Sequence, residues 1–242
     1  MASKIIVDQL EKTGGALTAL TLPVANATVG QYMKNDGSGV LGWVDPPADV
    51  SGLTSVQIFT ASATWTKPTD ITKVIIEVQG GGGSGNREDS SDSNNCAGGA
   101  GGYAKKFLDV SSITSSVITV GSGGAAVSSS AGNDGGISSW NDSAGGGSLT
   151  ITCNPGIGGN NTSQVGANGG TAVNGDINIQ GGVGAYQIHG APAGGSILGN
   201  AGVSLINSAL TGGKGYGSGG GSGRNTTSGA GAPGIIIVWE YK

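Results

Sequence analysis

The residues able to perform acid–base or nucleophilic chemistry are few and lie far apart in the chain. His189 is the only histidine among 242 residues, so a Ser-His-Asp triad would have to use it. A nucleophile elbow of the G-x-S-x-G kind leads from a strand into a helix, and no helical pattern follows Gly219–Gly223 (GGGSG). We therefore expect His189 to be a loop residue with a polar contact, not part of a triad.

Carboxylates offer a second kind of chemistry, because glycoside hydrolysis needs two carboxyl groups at a fixed separation. Several aspartates lie in polar, flexible-looking segments, namely Asp89, Asp92, Asp134, Asp142 and Asp176. No D-x-D-x-D-G calcium loop occurs among them. We expect no enzyme activity and no metal, with a polysaccharide depolymerase as the enzymatic alternative.

The cysteines and the glycine-rich loops predict no cofactor. Cys96 and Cys153 are too few for a zinc site, and the sequence leaves open a disulfide or two free thiols. A P-loop places Lys-Ser/Thr after its glycines, whereas Gly85 is followed by Asn86 and Lys214 by Gly215. With 11 Lys and Arg against 15 Asp and Glu and no basic cluster, we expect no nucleic-acid partner.

Aromatic side chains fall into two groups. Trp140, Tyr186 and Tyr216 lie between small residues, where a ring either stacks on a sugar or buries at an interface, or else covers a local glycine surface. Trp65 and Trp239 lie in strand-like runs and are predicted to be core residues. The polar segment 86–95 (NREDSSDSNN) is either a solvated, disordered loop or a loop at the tip of the molecule.

The elements that position these residues must form from a chain with 51 glycines and only 11% charged residues. Glycine loses more backbone entropy on folding than any other residue, so disorder is one reading. The net charge of only −4 and the recurring Ile, Val and Thr favour order. We expect an ordered chain with a thin side-chain core and extensive packing between backbones.

Strand patterns flank the glycine-rich part. Lys73 to Gln79 (KVIIEVQ) and Gly234 to Tyr241 (GIIIVWEY) are predicted to pair in a small sheet. Residues 103–110 and 117–120 are predicted to be the arms of a hairpin. Between about 121 and 234, Gly-Gly pairs recur every ten to fifteen residues without a collagen period. The predicted fold is all-β and irregular, a small β-sheet with a polyglycine II-like helical bundle.

The first 52 residues have too few large apolar groups to bury much surface alone. We expect this region to be extended, to form a trimer, and to use Ile5, Ile6, Val7 and Leu10 as contacts, together with Leu41 and Trp43. The absence of an 18-residue apolar run and of a signal-peptide pattern predicts synthesis in a cytoplasm. The predicted boundary separates region 1–52 from a glycine-rich domain at 53–242.

Residues 59–83 (FTASATWTKPTDITKVIIEVQGGGG) resemble the start of the glycine-rich domain at the distal end of many phage tail fibres. The order of the later blocks is also similar: GGAGGYAKKFLDV at 98–110, ITVGSGG at 118–124 and the final GAPGIIIVWEY. This resemblance covers about residues 57–242. It implies a virion protein, and a related group of phage adhesins implies a layered polyglycine sandwich.

The N-terminal region is similar to a second phage theme. GQYMKNDGSGVLGWVDPP at 30–47 resembles a unit of trimeric tail-fibre and baseplate proteins, and SKIIVDQLEKTGG resembles the attachment ends of short marine-phage fibres. The resemblance implies a homotrimer in the virion tail, made in the bacterial cytoplasm. Its N-terminus would bind other tail proteins, and its distal loops a host glycan or outer-membrane protein.

Loop residues with large or charged side chains are the candidate receptor contacts. These are Arg87, Asp89, Trp140, Tyr186, His189, Tyr216 and Arg224. A structural adaptor without any receptor contact is the alternative within the same class. An ice-binding protein would need regularly repeating Thr and Ala faces, which the sequence lacks.

Overall fold

The computed structural model forms two compact units, Met1–Ser51 and Gly52–Lys242. The structure describes residues 9–10, 20–38, 40–45, 52–88, 95–160, 165–187, 192–203 and 212–242. The predicted contacts Ile5, Ile6 and Val7 and the predicted loop residues Asp89 and His189 lie outside these ranges.

The first unit contains four short strands. They are β1 (Gln9–Leu10), β2 (Leu20–Thr21), β3 (Tyr32–Asn35) and β4 (Leu41–Val44). β1 pairs with β2 and β3 with β4, both antiparallel. Where burial is described in this unit, no residue is buried; Leu41 and Trp43 are only half-buried.

The regular elements of the second unit are almost all β-strands. Its strands are β5 (Leu53–Phe59), β6 (Ala63–Thr66), β7 (Lys73–Gln79), β8 (Arg87–Glu88), β9 (Asn95–Cys96), β10 (Tyr103–Asp109), β11 (Ser115–Thr119), β12 (Ser138–Asn141), β13 (Thr150–Cys153), β14 (Ala172–Val173), β15 (Ile177–Ile179), β16 (Tyr186–Gln187), β17 (Gly199–Asn200), β18 (Lys214–Gly215), β19 (Gly223–Arg224) and β20 (Ile235–Tyr241). A 3₁₀ turn at Ser143–Gly145 is the one helical element among the described residues.

Two five-stranded antiparallel sheets make a β-sandwich. The first sheet has the order β15-β10-β7-β20-β5, and the second β14-β13-β12-β11-β6. The predicted pairing of 73–79 with 235–241 is confirmed, since β7 and β20 lie side by side with Val78 opposite Ile236. These strands form because β-branched residues alternate between a buried and a more open face.

The predicted hairpin of residues 103–110 and 117–120 is wrong. β10 pairs with β7 and β15, whereas β11 pairs with β6 and β12 in the other sheet. The chain between them crosses from one layer to the other, with Val110 N–H donating to Thr72 O. Each strand thereby turns its apolar side, Ala104 in β10 and Ile118 in β11, into the shared interior.

The interior of the sandwich is packed with side chains from both sheets. Trp65 and Trp140 meet at its centre, with ring centroids 5.0 Å apart and planes tilted by 47°. Around them are packed Val74, Ile76, Val78, Ile118, Ile151, Ile236 and Val238, all fully or almost fully buried. The core position predicted for Trp65 is confirmed, whereas Trp239 is half-buried on the outward side of β20.

The strands continue beyond one end of the sandwich into glycine-rich runs, which we call the glycine layer. Its runs are 80–86, 97–102, 121–124, 132–136, 154–159, 166–170, 181–185, 193–195, 217–223 and 229–234. Their backbones hydrogen-bond mainly to one another. The layer therefore extends the sandwich with segments that have almost no side chains.

Candidate functional site

Run 80–86 lies at the centre of the glycine layer, and its N–H groups follow a three-residue repeat. Gly80, Gly83 and Asn86 donate to run 96–102, Gly81 and Ser84 to run 132–136, and Gly82 and Gly85 to run 229–234. The N···O distances run from 2.9 to 3.1 Å, which is normal for such bonds. Successive amides thus point to three different neighbours.

The carbonyl groups of the same run serve three further neighbours. Gly82 O accepts from Gly124 N–H, Gly83 O from Gly220 N–H, and Ser84 O from Gly159 N–H. Run 80–86 is therefore bonded to runs on all sides and is completely buried. Because buried backbone groups must be paired, this arrangement satisfies them without a regular sheet.

Glycine is required here because neighbouring backbones come close to where a Cβ would be. A Cβ at Gly82 would lie 2.1 Å from Ser218 O, and one at Gly156 would lie 1.9 Å from Gly99 O. Real Cβ atoms do not approach carbonyl oxygens so closely. A Cβ at Gly195 would meet nothing within 4 Å. Whether a position requires glycine therefore depends on how closely the neighbouring runs pack there.

Chain direction places several of the connections between runs at one end. Run 80–86 leaves the sandwich from β7, and run 97–102 returns to β10; run 121–124 leaves from β11, and run 132–136 returns to β12. The chain therefore turns at the end of the layer away from the sandwich. We call the described residues there, 86–88, 125–131, 160, 186–187 and 224–228, the tip.

Three of the predicted receptor contacts lie at the tip. Arg87 in β8 and Arg224 in β19 are on adjacent parallel strands, with Gly223 opposite Arg87, and both arginines are partly buried. Tyr186 in β16 is paired with Cys96 in β9 and is also partly buried. The structure thus brings two cationic side chains and one phenol to the same end of the glycine layer.

Two other predicted contacts lie elsewhere, and the loop position expected for Trp140 is wrong. Trp140 is in β12 and fully buried against Trp65, because it lies on the side of β12 that faces the interior between the two sheets. Tyr216 lies at the sandwich side of the layer, where its N–H donates to Leu198 O at 3.1 Å. Neither residue is part of the tip.

The sequence reading missed the tip loop at 125–131. Residues Ser128, Ser129 and Ser130 are exposed, and Ser130 has a positive φ of 139°. Asn225 in the other fully described tip loop also has a positive φ, of 54°. The sequence signal for this loop is a stretch without glycine between two glycine runs. Residues 86–95 show the same signal.

The thiols are not suited to chemistry. Both Cys96 and Cys153 are free and buried, so the disulfide alternative is wrong. Burial raises the pKa of both thiols, and that of Cys153 reaches about 12. The Cys153 S–H donates to Val78 O at 3.2 Å. A protonated, enclosed thiol is a poor nucleophile, so these residues act as small packing groups.

Within the described ranges, no three histidine, cysteine or acidic side chains come together as a metal site. Those ranges also contain no helix that could span a membrane. In the N-terminal unit, Leu10 lies in β1 and Leu41 and Trp43 in β4. The Trp43 indole donates to Ala25 O at 2.6 Å, which ties β4 to the segment between β2 and β3.

Comparison with known families gives one finding. The sequence model of a family described as a glycine-rich domain matches residues 57–241. This match covers both the sandwich and the glycine layer, and it begins within β5. A comparison with curated proteins gives no match.

Proposed function

This chain belongs to the glycine-rich domain family, and we propose that it is a non-enzymatic virion protein of a phage tail. In this proposal it is a tail fibre or tail-tip adhesin that attaches the particle to its host. Supporting it are the order of the sequence blocks from residue 57 onward and the collection of loops at one end of the glycine layer. Its location would be the virion tail, after synthesis in the bacterial cytoplasm.

The observation that carries the proposal is the way the tip is supported. The runs that enter and leave it are fixed by backbone hydrogen bonds on several sides, as for Gly82 and Gly85. Loops that are held in place by a rigid support lose little conformational entropy when they bind. Such a scaffold suits recognition, and loops on it can vary without disturbing the packing below.

We interpret the glycine runs as a polyglycine II-like bundle. That helix has three residues per turn and no internal hydrogen bonds, so successive amides point about 120° apart. The three-residue repeat of donors along run 80–86 has this property. A bundle of such helices is stiff because each one is bonded to its neighbours and not to itself.

The N-terminal region, residues 1–52 by sequence, would attach the protein to the tail and hold a homotrimer. Its described residues bury little surface, as expected of a chain that is stabilised by other copies. Ile5, Ile6, Val7, Leu10, Leu41 and Trp43 are the proposed contacts with those copies and with other tail proteins.

The proposed ligand is a host glycan or an outer-membrane protein, bound weakly by each copy. Arg87, Tyr186 and Arg224 are the proposed contacts among the described residues, with Asp89 and His189 on connections outside them. Several identical tips on one particle would increase the overall affinity by multivalency, often 10²-fold or more.

A cell-binding assay tests this function. Fluorescently labelled full-length protein is mixed with a panel of bacteria, and bound label is measured by flow cytometry. We expect Ser129→Arg and Arg224→Ala at the tip to reduce binding at least about tenfold, while circular dichroism and sedimentation stay unchanged. Ser112→Ala, in the exposed turn after β10 at the opposite end, is the matched control and should bind normally.

Two results would contradict the adhesin proposal. If strains that bind the protein bind the tip variants equally well, the tip is not the contact surface. If no strain binds, yet the protein incorporates into phage tails, the structural adaptor becomes the better description.

A further inference from the structure

The two outer faces of the β-sandwich differ in chemistry. The outer face of the first sheet presents large apolar side chains from neighbouring strands, and we call it the apolar face. Its most exposed members are Leu53, Val56, Ile58, Phe107, Ile177 and Ile179, which are 38–61% exposed. The register places them on one side, since Ile58 lies opposite Ile237 and Phe107 opposite Ile75.

The outer face of the second sheet is small and polar. Thr64, Ser139, Asn141 and Thr152 point outward there, with Val117 and Val173 as exceptions, both 45% exposed. Both sheets belong to one sandwich with one interior, so folding alone does not require a difference between their outer faces. The apolar face therefore has a cause other than the stability of this unit by itself.

The apolar face also has no unpaired charge at its centre. The Glu77 carboxylate accepts hydrogen bonds from the Tyr103 hydroxyl at 2.8 Å and the Trp239 indole at 3.0 Å. Lys105 lies 3.5 Å from the same carboxylate. A surface can be removed from water at low cost only if its charges are already paired. This face meets that condition.

The exposed apolar area of the face approaches what one partner contributes to a stable interface. An aromatic residue can bury about 150–250 Å² and an aliphatic residue somewhat less, so the six residues, each about half exposed, present on the order of 500 Å² of apolar area. Half-buried Ile75, Ile237 and Trp239 add to it. Stable interfaces bury about 800 Å² from each partner, and an apolar patch of about 300–600 Å², the largest on a typical monomer, is often functional.

The apolar face continues into a strand that, among the residues the structure describes, is paired on one side only. β5 pairs with β20 on one side and is the outermost strand of its sheet. Three of its residues, Leu53, Val56 and Ile58, belong to the apolar face. A long apolar edge strand is a ready site for association with another chain, and here edge and face form one surface.

We propose that the apolar face is the interface between copies of this chain, which pack around an axis parallel to the strands. The face is uncharged overall, so it does not select a partner of opposite charge, whereas an identical face matches it in area, twist and polarity. An axis in this direction leaves the tips of all copies at one end. The number of copies, three, rests on the proposed function. The assignment of the apolar face as the interface does not rest on it.

Cysteine labelling tests whether the face is covered. Phe107→Cys and Ile58→Cys place a thiol on the face, and Val117→Cys, at similar exposure on the second sheet, is the control. The native thiols are buried and give little background. In the full-length protein we expect maleimide to react at least about tenfold more slowly at positions 107 and 58 than at 117.

Analytical ultracentrifugation identifies what covers the face. We expect the Cys variants to sediment as oligomers, and Phe107→Lys to shift the protein toward the monomer, while Val117→Lys keeps the wild-type mass. Rapid labelling at 107 and 58 in the oligomer would overturn the proposal, because the face would then be open. Slow labelling in a protein that sediments as a monomer would overturn it too, since the chain would cover its own face.

These outcomes are independent of the cell-binding assay. An open face in a protein that still binds bacteria removes this interface and leaves the adhesin function in place. A covered face in an oligomer that binds no bacteria would support this interface and contradict the adhesin function.

Discussion

The β-sandwich and the glycine layer are continuous in the chain, yet their interiors are built from different atoms. In the sandwich, side chains such as Trp65, Trp140 and Ile236 fill the space between two sheets. In the glycine layer, backbones fill the space and bond to one another, as around Gly82. The first interior depends on the hydrophobic effect, and the second on close approach of amide groups.

This difference teaches that the two regions are sensitive to opposite changes. A side-chain core loses stability when atoms are removed and a cavity remains. A backbone-packed interior has no side chain to lose and is damaged when atoms are added. Four predictions test this contrast, in order of expected effect.

The strongest test of the contrast adds one methyl group to the glycine layer. Gly82→Ala would place its Cβ 2.1 Å from Ser218 O, so runs 80–86 and 217–223 must move apart and lose hydrogen bonds. We expect the free energy of unfolding, measured by denaturant titration, to fall by about 3 kcal/mol or more, which is at or above the upper end of the usual cost of overpacking. Gly195→Ala, with nothing within 4 Å, should change it by no more than about 1 kcal/mol. Equal effects would mean that the layer is not packed through its backbones.

The matching test in the sandwich removes atoms. Trp140→Ala leaves a cavity beside Trp65, and we expect a loss of about 3–5 kcal/mol in the free energy of unfolding. Trp140→Phe should retain much of the wild-type free energy of unfolding, because its ring still fills part of the space. A Trp140→Ala protein of normal stability that no longer binds bacteria would instead identify Trp140 as a surface contact and contradict its burial.

A smaller effect is expected from the buried carboxylate of the sandwich. Glu240 is fully buried and accepts hydrogen bonds from Ser55 Oγ, from Gln57 Nε2 at 2.7 Å and from Trp65 Nε1 at 2.7 Å. Glu240→Gln removes the negative charge that strengthens all three bonds, although the Ser55 hydroxyl can turn to accept from the new amide group. We expect a cost of about 1–3 kcal/mol in the free energy of unfolding. Asp70→Asn, an exposed ion-pair residue, should cost less than about 0.5 kcal/mol. A neutral Glu240→Gln would mean that the carboxylate is not needed at this position.

The smallest expected effect depends on pH. Ionisable side chains of the sandwich titrate, whereas the backbone hydrogen bonds of the glycine layer do not. Hydrogen bonds from Lys106 Nζ and the Phe107 N–H hold the pKa of Asp176 below its ordinary value of 3.8. Its contribution is therefore complete above pH 3.8 and is lost as the pH falls through the lower folded-state value. Asp176→Asn should be slightly less stable than wild type at pH 7, and the gap should close in strong acid. A gap of constant size in denaturation curves from pH 7 to pH 2 would contradict this assignment.

Local patterns predicted the parts of the fold that depend on neighbours in sequence. The strand character of 73–79 and 235–241 follows from runs of β-branched residues, and these two strands do pair. The pairing partners of β10 and β11 were not predictable in this way. Two adjacent strands fit either a hairpin or a crossover, and the choice depends on which sheet each apolar side helps to cover.

The candidate site was predicted in part. Arg87, Tyr186 and Arg224 interrupt glycine-rich stretches and do lie at the tip, although receptor binding by them stays a prediction. Trp140 gave the same local signal and is buried in β12. The difference comes from whether the flanking residues continue a strand of the sandwich or end a glycine run, and this depends on the whole layer.

The sequence by itself determined that the chain would be rich in β-structure and that many glycines would have to serve packing, since composition and β-branched runs are local properties. Only the tertiary structure decided which glycines have no room for a methyl group, which aromatic rings are buried, and that the tip loops share one end. Those features depend on which distant runs become neighbours. Backbone hydrogen bonds are the same for every residue type, so the sequence does not indicate which runs will pair.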